Sequence, residues 1–408
     1  MRRALHWNYK DVFRAARFGF SVKKLWIMFQ GLLWGLIVYA VLAYLGFLVS
    51  GYTFSEIWHD YRYVPLPWGG ELSLWGKVLV GLGIFGFWVF VSIYGTAVAK
   101  MTMEQLRGDE FYEISRAIKH GWKAGRSGVF APLTLVFMVF LILVGGVVLG
   151  LLGKIPWFGE LVLLVLAVPV LFTVFFMLYL VVSLIVAYYL APVVPGATRA
   201  DTFDILFEVF STLNDENWRF VGYEALLYGV KVLAVGIFAF FVGRTLAVIH
   251  AVLAQPWLMG QKFERIADAA LSYLPTLSFP TEGVYRAVSW FLGVTRTDLL
   301  LYPPVPPKGL AVPEAILGFL FGILVYLLVL LVLAYWGTIH FAGNTLIFTV
   351  LVKKKDEIDL TQVDEDFAVA PTHPEAPTVP PEGEAQQGTE GQEKPQAETP
   401  ETPEQGGA

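Results

Sequence analysis

The chain has no cysteine among its 408 residues. That excludes disulfides, thiolate-held zinc or iron–sulfur sites and thiol nucleophiles. Charge is also scarce: 15% of residues are Asp, Glu, Lys or Arg, against roughly a quarter in soluble domains, while 56% are hydrophobic. No phosphate-cradling Gly-rich loop, Gly-x-Ser-x-Gly elbow, His-Glu-x-x-His pair or dinucleotide fingerprint occurs. No Asn-x-Ser/Thr sequon occurs either, which fits a bacterial source. The first twenty residues, MRRALHWNYKDVFRAARFGF, lack a compact apolar core followed by small residues, so no secretory signal is expected there.

The net charge of −5 conceals a division. Residues 356–408 hold fourteen Asp/Glu against Lys394 alone, a net −13, which leaves the rest of the chain at +8. Beyond Ala370 the sequence is rich in Pro, Glu, Gln and Gly and has almost no large apolar side chains. Such a stretch cannot offset the entropy of ordering, so 356–408 is expected to be a disordered acidic cytoplasmic tail.

What remains is apolar sequence in long runs. Crossing a bilayer takes about 20 mostly apolar residues in a helix that satisfies its own backbone. Six runs qualify: 25–49, 78–99, 130–153, 161–190, 221–243 and 315–338. The expected fold is an all-α integral membrane protein with six transmembrane helices, preceded by a basic segment at 1–24. Pro169 falls inside the fourth run and is expected to kink it. Apolar sequence continues past the sixth run to Val352, read here as a helical extension leaving the membrane on the cytoplasmic side.

Lys and Arg set the orientation. They crowd the segment before run one, the connection between runs two and three (Lys100, Arg107, Arg116, Lys119, Lys123, Arg126) and the Lys353–Lys355 triplet. The opposite connections carry few, and the segment 244–310 is long enough to escape the rule. Both termini are therefore expected in the cytoplasm. The 244–310 segment is read as a non-cytoplasmic loop of amphipathic pieces, KFERIADAALSYL and GVYRAVSWFLGV, ending in the rigid stretch LLLYPPVPPKGL.

A polar insert, RGDEFYEISRAIKHGW at 107–122, has an echo in RADTF at 199–203. Each copy is expected to form an amphipathic helix lying at the cytoplasmic interface. Asp109 and Asp201 would be the N-caps. Phe111 and Trp122 in one copy, and Phe203 with nearby Trp218 in the other, would face lipid or protein. On this reading runs two–three and four–five repeat a span–interfacial helix–span unit, as in the parallel repeats of transporter folds.

Ionisable groups at membrane depth suggest function. Lys231 lies in the middle of run five, with Glu224 seven residues earlier on the same helical face, and His340 and Asn344 form an i, i+4 pair near the last run. These four are the candidate intramembrane polar site. The competing expectation, favoured by spacing, is that Lys231 and Arg244 snorkel to opposite surfaces. Glu56 and His59 have the spacing of a di-iron helix but lack the partners such a site requires, so no metal is expected. Gly31/Gly35, Gly146/Gly150 and Gly318/Gly322 are GxxxG pairs that permit close helix packing.

The basic start running into SVKKLWIMFQGLLWG, the two Asp-x-Phe inserts and the last run ending in NTLIFTVLVKKKDE together resemble uncharacterised polytopic inner-membrane proteins of bacteria, over most of residues 8–360. The resemblance implies a bacterial inner-membrane location and carries no activity. With no acid, base and nucleophile converging, the expected function is a non-catalytic scaffold or component of a membrane assembly, with no cofactor. The lipid bilayer, and proteins reached through the tail and interfacial helices, would be its partners; nucleic acid would not. The alternative is a transporter or permease with its site at Glu224 and Lys231.

Overall fold

The structure, a computed structural model, describes residues 5–66, 71–273 and 309–362. All lie in one unit, Met1–Val369. The acidic tail beyond Gln362 and the segments GVYRAVSWFLGV and most of LLLYPPVPPKGL lie outside the described residues.

Six helices are long and apolar enough to cross a membrane: α2 (Val22–Val49), α4 (Leu74–Arg107), α5 (Ile114–Leu152), α6 (Phe158–Leu190), α9 (Asn217–Leu253) and α11 (Val312–Lys355). Short elements join them. A 3-10 helix (Tyr9–Arg14) leads into α1 (Ala15–Gly19); α3 (Phe54–Tyr61), α7 (Val194–Thr198), α8 (Thr202–Asp215) and α10 (Gln261–Leu271) sit at the turns. Every expected span is present, and each helix overruns its apolar run. The fifth span continues to Leu253, so the loop expected from residue 244 starts ten residues later. Pro169 lies within a continuous α6. At 44 residues and 1.5 Å each, α11 is about 66 Å long, well beyond a bilayer core.

The extra length is packed. Residues 337–352 of α11 and 92–104 of α4 are almost entirely buried. They form the centre of a hub at the end of the molecule where the basic segments gather, surrounded by the 3-10 helix, α1, α7, α8 and the first turns of α2 and α9. Close approach at several glycines makes this possible. A Cβ on Gly31 would meet Tyr94 at 2.5 Å, one on Gly196 would meet Ala99 at 2.7 Å, and one on Gly337 would meet Met28 at 2.8 Å. Threonines in this core spend their hydrogen bonds locally. Thr345 donates to the Phe341 carbonyl and Thr349 to the Thr345 carbonyl, both at 2.7 Å. Threonine can thus be buried in a helix without an orphaned donor.

The opposite end is thinner. Tyr39, Ala43, Phe47, Ile57, Leu72 and Val80 make a small second core beneath α3, and α10 packs along α11 through an Arg265–Glu314 ion pair at 2.9 Å. Between the two ends, α5 and α6 are exposed on nearly every side. Of the most apolar 18 residues in each span, 33% are buried in α4, 6% in α5 and none in α6 or α9.

The two polar inserts are built differently, which corrects the expectation for the first. α4 ends at Gly108, whose φ of 105° is a left-handed cap that glycine adopts without strain. Asp109 then accepts from the Phe111 amide at 2.9 Å in a tight turn, so it caps no helix. Phe111 lies in that turn, and from Ile114 the insert is simply the start of α5. Nothing between Ile114 and the apolar run breaks a helix, so insert and span are one rod containing Trp122. The second insert is a separate helix, α8. Asp201 and Asp204 exchange backbone-to-carboxylate bonds of 2.9 and 3.0 Å, a capping box. Phe203 and Phe207 point outward while Ile205, Leu206 and Val209 are buried. Trp218 is exposed in the first turn of α9, not in α8.

Candidate functional site

Residues 224, 228 and 231 repeat at i, i+4 and i+7 on α9; residues 336, 340 and 344 repeat at i, i+4 and i+8 on α11. Each set is one helical face, and the structure places the two faces together. Lys231 Nζ donates to His340 Nδ1 at 3.2 Å. Asn344 Nδ2 lies 3.2 Å from the same ring nitrogen and donates to the His340 carbonyl oxygen at 2.9 Å. The Lys231 ammonium also sits 5.4 Å from the centre of the Trp336 ring and 5.9 Å from that of Tyr228, within cation–π range. Tyr188 and Tyr189 at the end of α6 approach the His340 ring at 5.9 and 5.7 Å between centroids.

Lys231 is 4% exposed, His340 8% and Asn344 0%. Snorkelling of Lys231 is therefore not what the structure shows. The side chain turns inward, because an imidazole acceptor and two aromatic faces satisfy an ammonium that would otherwise have to reach the surface. Its depth is also corrected. Gly337 packs on Met28 and Gly19 on Ile339, so the Lys231–His340 contact is level with the first turns of α2, toward the basic end and away from mid-span. Glu224, two turns from Lys231, interacts with its charge. Among the described residues, the buried atoms Glu224 Oε1 and Asn344 Oδ1 have no hydrogen-bond partner. The cluster thus holds a sequestered ammonium, a ring-nitrogen acceptor, and a carboxyl and an amide oxygen still able to receive a donor.

Tyr228 and Trp336 belong to this cluster but did not stand out in the sequence. The signal was their helical spacing from Glu224 and His340, which becomes visible only once the two faces are known to meet.

The basic end holds more buried charge. Lys100 pairs with Glu104 at 2.8 Å, and Arg107 reaches the same oxygen at 2.9 Å. Lys355 pairs with Glu208 of α8 at 2.7 Å, with both side chains under 10% exposed. Burial pushes the Glu208 carboxyl above the usual carboxylate range, and the Lys355 charge only partly opposes this. Lys24 donates to Gln105 at 2.8 Å and to the Phe18 carbonyl at 3.1 Å. Glu56 and His59 lie on α3, not in a loop. Glu56 closes a capping box with Thr53, and His59 meets Asp60 at 3.0 Å. The two hydrogen bonds from Thr53 hold the Glu56 carboxyl below its ordinary range. Among the described residues no cluster of three or more His, Asp or Glu suits a metal ion.

Of the three GxxxG pairs, two are used within the chain. Gly31 and Gly35 receive Tyr94 and Phe87 of α4, while Gly318 and Gly322 receive Ala269 and the Tyr63–Tyr273 pair. Gly146 and Gly150 face open space. A fourth small-residue series passed unnoticed in the sequence: Ala117, Gly121, Gly125 and Gly128 seat α5 against the hub. A Cβ on Gly121 would meet the Ile93 carbonyl oxygen at 2.6 Å, and one on Gly128 the Ala191 carbonyl oxygen at 2.5 Å.

No protein-family model, curated protein or solved structure matches this chain. Its class is defined by its own fold: an all-α integral membrane protein with six candidate spans and a polar cluster buried between two of them.

Proposed function

We propose that the chain is a non-catalytic component of a larger membrane assembly, inserted in the bacterial inner membrane with its basic end and both termini in the cytoplasm. One observation carries this reading: in three of the six spans almost no residue of the most apolar stretch is fully buried among the described residues. A transporter working alone needs a bundle interior to enclose its pathway. Here α5 beyond Leu135 and α6 up to residue 176 form a hairpin whose apolar side chains are mostly exposed. Spans associate in lipid through close packing at small residues, and α5 presents Gly146 and Gly150 on a side that meets nothing among the described residues. The hub holds the chain together, and the splayed spans are the surfaces left for neighbours.

The test is extraction in mild detergent, comparing the wild-type chain with a Gly146→Ile/Gly150→Ile variant. The reading expects the wild type to migrate with a stoichiometric partner, or as a multimer, and the variant to lose that association while unfolding at the same temperature. A wild-type chain that remains a monomer without partners contradicts it.

A second reading, a transporter or permease, is favoured by the Lys231–His340–Asn344 cluster with its two unpartnered acceptors. It requires that Lys231→Leu abolish flux of a solute. An assembly component tolerates that change.

A further inference from the structure

The first turns of α5 carry Arg116, Lys119, Lys123 and Arg126 at i, i+3, i+7 and i+10, all exposed. At 100° per residue they fall within an arc of about 80°. The buried series Ala117, Gly121, Gly125 and Gly128 lies on the opposite side, so seating α5 on the hub forces the cations outward. Arg116 pairs with Glu113 at 3.1 Å, both side chains well exposed, where such a pair contributes little. Lys119, Lys123 and Arg126 have no ion pair or hydrogen bond from their side chains among the described residues.

The height of this ridge follows from its neighbours. Gly121 and Gly125 rest on Ile93, Thr96 and Ala97 of α4. Trp122 meets the edge of Phe90 at 5.7 Å, and Tyr94 packs on Gly31 near the start of α2. The cations therefore sit where the spans reach the basic end of the bundle. One turn beyond Arg126 the same face of α5 becomes apolar, with Phe130, Phe137 and Leu141 all exposed. Along its length the face runs from cations to an aromatic and aliphatic wall.

We propose that this face is a binding site for anionic phospholipid, with phosphates on Arg116, Lys119, Lys123 and Arg126 and acyl chains against Phe130, Phe137 and Leu141. A soluble acidic protein or a nucleic acid would match the charge and leave the apolar wall unmatched; an amphiphile matches both. The ridge spans ten residues, about 15 Å of helix. A headgroup layer is roughly 5–8 Å deep on each side of the core, so the cations reach more than one phosphate depth. The site takes either two headgroups or one headgroup with two phosphates. Arg supplies two-pronged contacts to phosphate and Lys a point charge.

The experiment reconstitutes the full chain in nanodiscs of mixed phosphatidylcholine and phosphatidylglycerol, then counts retained lipids by native mass spectrometry after gentle detergent release. The wild type is expected to retain phosphatidylglycerol in excess over its share of the bilayer. In R116Q/K119Q/K123Q/R126Q that excess should fall at least about five-fold, given the attraction of each basic residue to an anionic surface. Two controls keep the outcome readable if the quadruple variant inserts poorly. The charge-preserving R116K/K119R/K123R/R126K should keep most of the excess, and K10Q/R17Q/K353Q/K354Q, altered elsewhere at the basic end, should keep all of it. An unchanged excess in the first variant overturns the proposal, as does an equal loss in the last. Loss of the wild-type excess on adding millimolar inorganic phosphate also overturns it, by showing a free-anion site.

Discussion

α4 and α11 on one side, and α5 and α6 on the other, are all long apolar helices of 33 to 44 residues. Their fates differ completely. The last third of α4 and the last third of α11 form the most buried part of the molecule, whereas α5 beyond Leu135 and α6 up to residue 176 face outward. The difference lies in residue size and polarity at particular positions, not in apolar content. Packed stretches alternate Gly, Ala and Thr with large residues, so backbones approach and hydroxyls bond to their own helix. Exposed stretches are Leu, Val and Phe on every side, a surface suited to lipid or to another protein's spans. α5 contains both kinds, changing over near Leu135.

Glycine substitutions probe this contrast with the largest expected effect. Gly128→Val puts carbons into the Ala191 carbonyl and is expected to cost roughly 3 kcal/mol, at the upper end of overpacking penalties. Gly146→Val meets nothing among the described residues and should leave unfolding of the detergent-solubilised monomer within about 0.5 kcal/mol of wild type. Thermal unfolding of both variants checks this, and equal losses would erase the distinction between the two regions.

Charge removal comes next. Glu208→Ala leaves Lys355 with only the longer 3.4 Å pairing to Asp356 and should cost about 2 kcal/mol, whereas Glu160→Ala on the exposed first turn of α6 should change little. Glu208 also gives the hub a pH dependence. Its carboxyl is raised on folding, so its contribution is fully present below the ordinary carboxylate range and is lost as pH rises through the raised value. Stability measured across that window should decline in the wild type and flatten in Glu208→Gln.

Lysine accessibility sharpens the comparison without altering the fold. In the detergent-solubilised protein an amine-reactive reagent should modify Lys119 and Lys123 readily and Lys231 not at all, as read by peptide mass spectrometry. Rapid modification of Lys231 would restore the snorkelling picture. The smallest effect separates the two inserts. Asp201→Ala removes a true helix cap and should cost about 1 kcal/mol, while Asp109→Ala, which loses only a turn contact, should cost less.

The spans were legible in the sequence because run length alone reports them. The hub was not. Hydropathy cannot tell an apolar residue packed against protein from one facing lipid, so residues 337–352 read as an extension where they form a core. The pairing of Lys231 with His340 was likewise hidden, because it joins residues 109 apart in sequence and depends on which faces of α9 and α11 meet. His340 and Asn344 were recognisable as a local pair, and Lys231 as an anomaly, but nothing local connects them. The first insert misled for the opposite reason. Its amphipathic pattern is real, yet no breaker separates it from the span; the apolar stripe packs partly on the hub through Ile114 and Ile118, and the exposed cationic ridge occupies another face.

The central claim, that the exposed hairpin is a surface for neighbouring spans, is tested most directly by placing a photo-crosslinking residue at Val147, on the open side of α5, and irradiating intact native membranes. The account predicts a discrete protein adduct, absent when the same residue replaces Thr345 in the buried hub. Adducts with lipid alone at Val147 would contradict it.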